Sequence, residues 1–252
     1  MTRVLIAVPV FNEAATVVSV LTEISRCAAD IPLALGRSDL ALTVIALDDH
    51  STDATPALLA SLGVETIRQP RNRGYGYAMR ETFRQAQFRG ADWCISIDCD
   101  AQHEPARLID FVRTALADSA DVISGTRYGD EAFAHDDAPE DRRAINATLT
   151  RELNAALELK LTDAFCGYKA YRTSAVADLT LDADGYEFPM QFWVLAAAAG
   201  LRIEELPTRR IYTDAARRFG GGLDDSTVRL AHYRQTMANA LHAVRSRSML
   251  PR

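Results

Sequence analysis

Short apolar runs alternate with amphipathic stretches along most of the chain. Of these runs, the first has no polar residue, as in a strand that is covered on both faces of a sheet. The runs span residues 4–11, 42–47, 64–67, 93–98 and 121–128. Stretches with apolar residues at helical spacing follow them and end near residues 29, 88, 117, 159 and 199. This alternation predicts an α/β fold with a single, mostly parallel, Rossmann-like sheet flanked by helices.

Polar side chains cluster directly after four of the predicted strands. The clusters are residues 11–13, 48–49, 72–76 and 98–102. The carboxyl ends of parallel strands meet at one edge of a sheet, where open α/β proteins bind their ligands. Four clusters at one edge therefore predict a ligand site rather than four unrelated strand ends.

Asp98 and Asp100 follow an apolar run that ends at Ile97. Because alternate residues of a strand point to the same face, both carboxylates are expected to leave the strand on one side. Two carboxylates, with the side-chain carbonyl of Gln102 nearby, suit a Mg²⁺ or Mn²⁺ ion that completes its coordination with phosphate oxygens and water. An isolated Asp-x-Asp more often ends a strand and caps a helix, but the neighbouring clusters favour the metal site.

Gly74 and Gly76 raise the alternative of a dinucleotide-binding protein. The third glycine of that pattern is Met79 here, and this is not the first βαβ unit of the chain, so the motif is weak. A sugar nucleotidylyltransferase is a closer alternative. It would need a Gly-rich loop after the first strand, where this chain has Pro9 to Glu13.

Composition and charge narrow the class of protein. With 252 residues, 48% of them hydrophobic, the chain can bury a large core. A net charge of -6 argues against a nucleic-acid partner. The four cysteines show no C-x-x-C spacing, which is typical of reduced thiols in the cytoplasm. The longest apolar run, 192–201, is far shorter than the roughly 20 residues of a membrane span. We expect no secretion, because no charged-then-apolar stretch is found ahead of the first strand.

Five motifs, taken together in their order and spacing, resemble those of family 2 glycosyltransferases. They are Val8-Pro9-Val10-Phe11-Asn12-Glu13, Asp48-Asp49-x-Ser51-x-Asp53, Asn72-x-Gly74-x-Gly76, Asp98-x-Asp100-x-Gln102-His103-x-Pro105 and Gly125-x-Arg127. The match covers roughly residues 4 to 212 and is most similar to the dolichol-phosphate mannosyltransferase-like branch. The resemblance implies a GT-A fold, a nucleotide-sugar donor such as GDP-mannose or a UDP-hexose, and metal-dependent transfer with inversion.

The same resemblance implies roles for individual residues. The metal on the donor diphosphate would be held by Asp98, Asp100 and Gln102. The donor nucleotide would lie against Pro9, Phe11, Asn12, Glu13, Asp48, Asp49, Asn72, Gly74 and Asp98, with one of the two adjacent aspartates on the nucleoside. A lysine that is common after the first glycine of the Asn-x-Gly motif is Tyr75 here, so phosphate contacts from that loop would come from Arg71, Arg73 or backbone N–H groups.

The acceptor is less well defined by the sequence. A sugar hydroxyl needs a carboxylate base, for which Asp163 or Glu187 would serve. A lipid phosphate is already ionised and needs cations instead. The candidate cations are Arg127, Lys169, Arg209, Arg217 and Arg218, the first of which also counts as a candidate catalytic residue. The branch resemblance favours a polyprenyl phosphate. A hydroxyl acceptor, or a nucleotide-sugar-binding protein without turnover, stays as an alternative.

The predicted domain organisation is a catalytic domain over residues 1–222 with a C-terminal helix over 223–252. The donor half is expected at 1–128 and the acceptor half at 142–222, separated by an acidic linker or lid. The apolar stripe of the terminal helix is expected to pack on the domain. Its arginines leave open a peripheral position at the inner face of the membrane, and a homodimer is also left open.

Replacing Asp98 or Asp100 with alanine is expected to abolish turnover, because the charge that develops on the leaving diphosphate would lose its metal ion. Circular dichroism should show a folded protein, since both residues follow the strand rather than belong to the core. A variant that stayed fully active with the metal chelated would refute the metal site.

Overall fold

The computed structural model describes residues 1–128, 139–209, 211 and 222–248. The strands are β1 (Thr2–Val10), β2 (Leu40–Asp48), β3 (Glu65–Arg68), β4 (Trp93–Ser96), β5 (Val122–Thr126), β6 (Lys169–Arg172) and β7 (Ile203–Pro207). The helices are α1 (Val17–Ala34), α2 (Thr55–Leu62), α3 (Tyr75–Phe88), α4 (Leu108–Leu116), α5 (Glu140–Leu157), α6 (Thr173–Val176), α7 (Phe188–Ala198) and α8 (Ser226–Ser248), and a 3₁₀ turn spans Pro105–Arg107. The predicted α/β fold is confirmed.

Within these residues the strands form one mixed sheet in the order β3-β2-β1-β4-β6-β5-β7. Strand β6 runs antiparallel to both of its neighbours, and the other pairs are parallel. The carboxyl ends of all strands except β6 therefore lie at one edge of the sheet, together with the amino end of β6. The polar clusters of the sequence follow strands that end at this edge.

The sheet separates two apolar layers. Along β1, Val4, Ile6 and Val8 face the layer beneath α1, α2 and α4, whereas Leu5 and Ala7 face the layer beneath α3, α5, α7 and α8. This alternation buries β1 on both faces, which explains why its sequence is a continuous apolar run. Helix α8 packs against α5 and α7. No helix in the described ranges has an apolar stretch long enough to span a bilayer.

Several element boundaries differ from the predicted ones. Helix α1 continues to Ala34 and contains Pro32 close to its end. Strand β4 ends at Ser96, two residues before the predicted end at 98. Strand β6 has four residues and starts with a buried lysine. It has no apolar run from which the sequence could predict it. Helix α8 begins after Asp225, whose side chain accepts hydrogen bonds from the N–H groups at the helix start.

Asp121 ties together the far ends of three strands. Its carboxylate accepts hydrogen bonds from the backbone N–H of Arg202 at 3.0 Å and from the guanidinium groups of Arg202 and Arg172 at 2.9 to 3.0 Å. These hydrogen bonds, with the charge of Arg202, hold the pKa of Asp121 well below its usual range. The carboxylate thereby fixes β5 and β7 beside the antiparallel strand.

Asp121→Asn is expected to lower the midpoint of thermal unfolding by a few degrees at neutral pH. Because the folded pKa of Asp121 is depressed, its contribution is present above the unfolded pKa of about 3.9 and is lost as the pH falls below it. The difference in stability between wild type and variant should therefore shrink below about pH 4. A difference that grew on acidification would contradict this assignment.

Candidate active site

A cavity of ≈ 410 Å³ lies at the carboxyl edge of the sheet. Residues from all four predicted clusters line it, and so do the two residues that follow β5, Arg127 and Tyr128. The predicted site residues in its lining are Pro9, Phe11, Glu13, Asp49, Asn72, Gly74, Asp98, Asp100, Gln102 and Arg127. The fold thus brings together side chains that are more than 100 residues apart in the chain.

The two carboxylates of the Asp-x-Asp motif are brought to the cavity by a loop and not by strand alternation. Strand β4 ends at Ser96, and the chain then bends at Ala101, which has a φ of 59°. Asp100 accepts a hydrogen bond from the backbone N–H of Gln102 at 3.1 Å. A Cβ at Gly167 would overlap the Asp98 carboxylate, so this glycine makes room for it.

The donor set of this loop fits a hard divalent cation. Asp98 and Asp100 supply carboxylate oxygens, and Gln102 supplies an amide oxygen beside them. In the described part of the chain, no three His, Cys, Asp or Glu side chains cluster closely enough to form a metal site by themselves. An ion at this loop would therefore take further ligands from a bound substrate and from water.

Asp48 and Asp49 differ in what they contact. Asp49 lines the cavity and accepts hydrogen bonds from the N–H groups of Arg73 and Gly74 at 2.8 and 2.7 Å. Burial raises the pKa of its carboxyl group. Asp48 lies away from the cavity and accepts from Ser51 N–H at 2.8 Å. Of the two, Asp49 is the one that lines the cavity.

Asn12 also lies outside the cavity lining, although its neighbours Phe11 and Glu13 belong to it. The Asn12 side-chain oxygen accepts a hydrogen bond from Thr52 N–H at 2.8 Å, and Asn12 N–H donates to the Ser51 hydroxyl at 2.9 Å. These bonds join the loop after β1 to the loop after β2. Asn12 therefore positions the site instead of lining it.

The glycines of the Asn-x-Gly-x-Gly motif allow two backbone segments to approach closely. A Cβ at Gly74, where φ is 96°, would lie 2.5 Å from the Asp184 carbonyl oxygen. One at Gly76 would overlap the carbonyl oxygen of Ala183. Tyr77 N–H donates to the Asp184 carbonyl oxygen at 3.1 Å. Packing against this loop, and not a dinucleotide fingerprint, accounts for both glycines.

Arg127 and Asp163 form a buried ion pair at the wall of the cavity. The guanidinium donates to the carboxylate at 2.6 and 2.9 Å, and Asn146 donates to it at 2.8 Å. Burial raises the pKa of Asp163, but attraction and hydrogen bonds from Arg127 outweigh this effect and hold the pKa well below its usual range. Because Asp163 is fully buried, is paired with Arg127 and is not part of the cavity lining, it does not suit the role of general base that the sequence suggested.

Glu187 is likewise engaged at the end of a helix. Its carboxylate accepts a hydrogen bond from Gly185 N–H at 3.0 Å and lies 3.2 Å from the His232 Nε2 atom. The residue is not part of the cavity lining, although its neighbour Tyr186 is. Glu187 thus joins α7 to α8, a position that also argues against a general base.

The predicted phosphate-binding cations are spread over different environments. Lys169 points into the protein, where it donates to the Cys166 carbonyl oxygen and lies 5.6 Å from the ring centre of Trp193. Burial lowers its pKa. Arg209 is exposed and lies outside the cavity lining. Arg217 and Arg218 fall outside the described residues.

Several lining residues were not predicted from the sequence. They are Tyr75, Tyr128, Arg142, Asn146, Phe165, Tyr186, Arg229 and Tyr233. Arg142 lies in the first turn of α5, where the helix dipole disfavours a cation. An arginine at that position in the sequence indicates an anionic neighbour. Arg229 and Tyr233 belong to α8. The sequence pattern of this amphipathic helix does not distinguish them from its other residues.

The chain is similar to a known protein family and to several characterised proteins. Residues 5–180 match the model of the family described as Glycosyl transferase family 2. An undecaprenyl-phosphate mannosyltransferase of Micrococcus luteus is 30% identical over 221 residues, which cover 81% of this chain and 82% of that protein. A UDP-N-acetylglucosamine–dolichyl-phosphate N-acetylglucosaminyltransferase of Methanococcus voltae is 26% identical over 68% of this chain and 75% of that protein.

Among solved structures, glucosyl-3-phosphoglycerate synthase of Mycobacterium tuberculosis, in complex with Mn²⁺, UDP-glucose and phosphoglyceric acid, has a similar fold. It superposes with a TM-score of 0.67 at 19% sequence identity, covering 96% of this chain and 80% of that one. At this level of identity the likeness supports the fold alone.

Asp163→Asn is expected to destabilise the protein by about 3–5 kcal/mol, because it leaves the Arg127 guanidinium buried without its counter-charge. Chemical denaturation monitored by tryptophan fluorescence would measure the loss. Asp110→Asn, which breaks a more exposed ion pair with Arg107 and Arg113, is the matched control and should cost about 1 kcal/mol or less. A fully stable but inactive Asp163 variant would instead support a general base.

Proposed function

The chain belongs to glycosyltransferase family 2, and from this premise we propose that it transfers a hexose from a nucleotide-sugar to a polyprenyl phosphate. It is an enzyme of the glycosyltransferase class with a GT-A fold, and its relatives confirm the predicted likeness to the dolichol-phosphate mannosyltransferase-like branch. The observation that carries the proposal is the separation of charge inside the cavity.

Within the described residues, the carboxylates that line the cavity are Glu13, Asp49, Asp98 and Asp100. The cations that line it are Arg127, Arg142 and Arg229. All of the carboxylates come from loops in the first hundred residues, and all of the cations come from the second half of the chain. A metal-bound diphosphate suits the acidic part, and a second anion suits the basic part. This second anion is, in our proposal, the phosphate of the acceptor.

The carboxylates that could have served as a base support the same acceptor. Asp163 and Glu187 are both held in ion pairs or hydrogen bonds. If either of them were the base for a hydroxyl acceptor, it would have to take up a proton, whereas a phosphate oxygen attacks the sugar C1 without proton removal. In that step the new bond forms between C1 and a phosphate oxygen of the acceptor. The bond from C1 to the donor diphosphate breaks, its electron pair leaves with the diphosphate, and C1 is inverted.

The donor side follows from the residues at the acidic part of the cavity. Asp98, Asp100 and Gln102 would hold Mg²⁺ or Mn²⁺, which would neutralise charge on the leaving diphosphate. Phe11 and Asp49 line the cavity beside the loop and would contact the nucleoside. A Mycobacterium tuberculosis enzyme with this fold has been crystallised with Mn²⁺ and UDP-glucose, which agrees with this use of the fold.

The residues that line the cavity include some beyond residue 222. Arg229 and Tyr233 of α8 line the cavity, and Tyr233 stacks on Phe165 with ring centres 5.4 Å apart. We therefore include the C-terminal helix in the catalytic domain rather than beside it. Because a polyprenyl phosphate resides in a bilayer, the enzyme would work at the cytoplasmic surface of a membrane.

The test is a transfer assay with matched acceptors. Purified protein is incubated with GDP-mannose, UDP-glucose or UDP-N-acetylglucosamine, with Mn²⁺ or Mg²⁺, and with citronellyl phosphate as a short polyprenyl phosphate. One donor is expected to give a sugar-phosphate-citronellyl product by mass spectrometry, and EDTA should reduce it to background. Citronellol, which has the same chain without the phosphate, should give no product.

Two other results would contradict the proposal. Transfer to citronellol or to a sugar hydroxyl, but not to citronellyl phosphate, would point to a hydroxyl acceptor and a general base. Binding of a nucleotide-sugar without release of nucleotide under any of these conditions would point to a protein without turnover.

A further inference from the structure

Arg229 combines two properties that seldom occur together in an arginine. Its side chain is only 3% exposed, and yet it lines the catalytic cavity. Its Nη2 atom donates to the Asp141 carboxylate at 2.6 Å, and its Nη1 atom donates to the Leu223 carbonyl oxygen at 2.6 Å. A buried guanidinium requires an anion nearby, because the cost of removing it from water is large.

The side chain of Asp141 is far more accessible than that of Arg229. The Asp141 side chain is 45% exposed. A carboxylate that is already half-exposed to water loses less when it separates from its partner than a buried guanidinium does, and the guanidinium then needs a replacement anion. The pair is therefore suited to exchange of the anion, with Arg229 staying in place.

The neighbouring pair of the cavity has the opposite construction. Asp163 is completely buried and also accepts hydrogen bonds from Asn146 and from Phe165 N–H, so it stays with Arg127. Of these two arginine–carboxylate pairs, one is thus fixed and the other is exchangeable. An incoming phosphate would compete with Asp141, and not with Asp163.

We propose that Arg229 binds the phosphate of the acceptor and that Asp141 occupies Arg229 while the acceptor is absent. This inference rests on the proposed function, because it takes the acceptor to be a phosphate ester. Helix α8 then supplies a direct contact to the acceptor, and Tyr233, one turn further along the helix, fixes the orientation of this helix face through its stacking on Phe165.

The exchange has a further consequence for helix α5, which carries Asp141 in its first turn. Release of Asp141 frees the start of α5, where Arg142 also lines the cavity. Binding of a phosphate would thus change the contacts of α5 and α8 in one step.

Isothermal titration calorimetry would test the proposal with citronellyl phosphate and, separately, with 3-phosphoglycerate, each in the presence of Mn²⁺ and UDP or GDP. Arg229→Gln is expected to raise the Kd for the phosphate ester by about 10- to 100-fold, the usual effect of losing a charge-assisted hydrogen bond. Arg229→Lys, which keeps the charge without the planar fork, should have an intermediate Kd. Nucleotide binding should be unchanged in each variant.

Asp141→Asn is the decisive variant. If Asp141 competes with the acceptor, this variant should bind the phosphate ester at least as tightly as wild type does. Arg234→Gln is the control on the same helix, since Arg234 pairs with Glu152 at the exposed surface. It should leave the Kd for the phosphate ester unchanged.

The outcomes separate this inference from the proposed function. Binding of citronellyl phosphate that does not depend on Arg229 would overturn the inference and keep the lipid acceptor. Arg229-dependent binding of 3-phosphoglycerate alone would keep the inference and overturn the lipid acceptor. A loss of affinity in Asp141→Asn as large as in Arg229→Gln would mean that the pair is structural, which also overturns the inference. Should Arg229→Gln fail to fold, Arg229→Lys and Asp141→Asn decide the question.

Discussion

The ion pair between Arg127 and Asp163 organises the half of the cavity that follows β5. Asp163 receives hydrogen bonds from Arg127 at the end of β5 and from Asn146 on α5, and its own backbone N–H donates to Glu205 on β7 at 3.1 Å. Three separate elements therefore meet at one residue. Since a buried carboxylate is stable only while these partners surround it, the position of the Arg127 guanidinium at the cavity wall is set by the whole arrangement.

The distribution of charge in the cavity follows from the order of the chain. The loops after β1, β2 and β4 supply carboxylates, and the segments after β5 supply arginines. Two anionic substrates would repel each other in an uncharged cavity. In the proposed reaction, a metal ion held by the carboxylates would neutralise charge on one substrate and guanidinium groups would pair with the other, so that the repulsion between the two substrates is reduced where they react.

Much of the acidic part of the cavity lining could be predicted because its residues follow strands directly. Asp98 and Asp100 were found in this way, although a bend at Ala101 and the space left by Gly167 bring them to the cavity instead of strand alternation. Which of Asp48 and Asp49 lines the cavity could be read only from the structure, where it is Asp49.

On the acceptor side the decisive contacts join residues far apart in sequence, 36 residues for Arg127 and Asp163 and 88 for Arg229 and Asp141. No local pattern reports whether such a charged side chain will be buried, paired or exposed.

The close contact of Gly74 and Gly76 with Ala183 and Asp184 limits how this protein can be recombined. It joins the start of α3 to the segment before α7 with no space for a side chain between them. A chimaera that took its first 128 residues from a relative would have to preserve the backbone path of both loops at once. Two segments that are far apart in sequence are therefore constrained together at these two glycines.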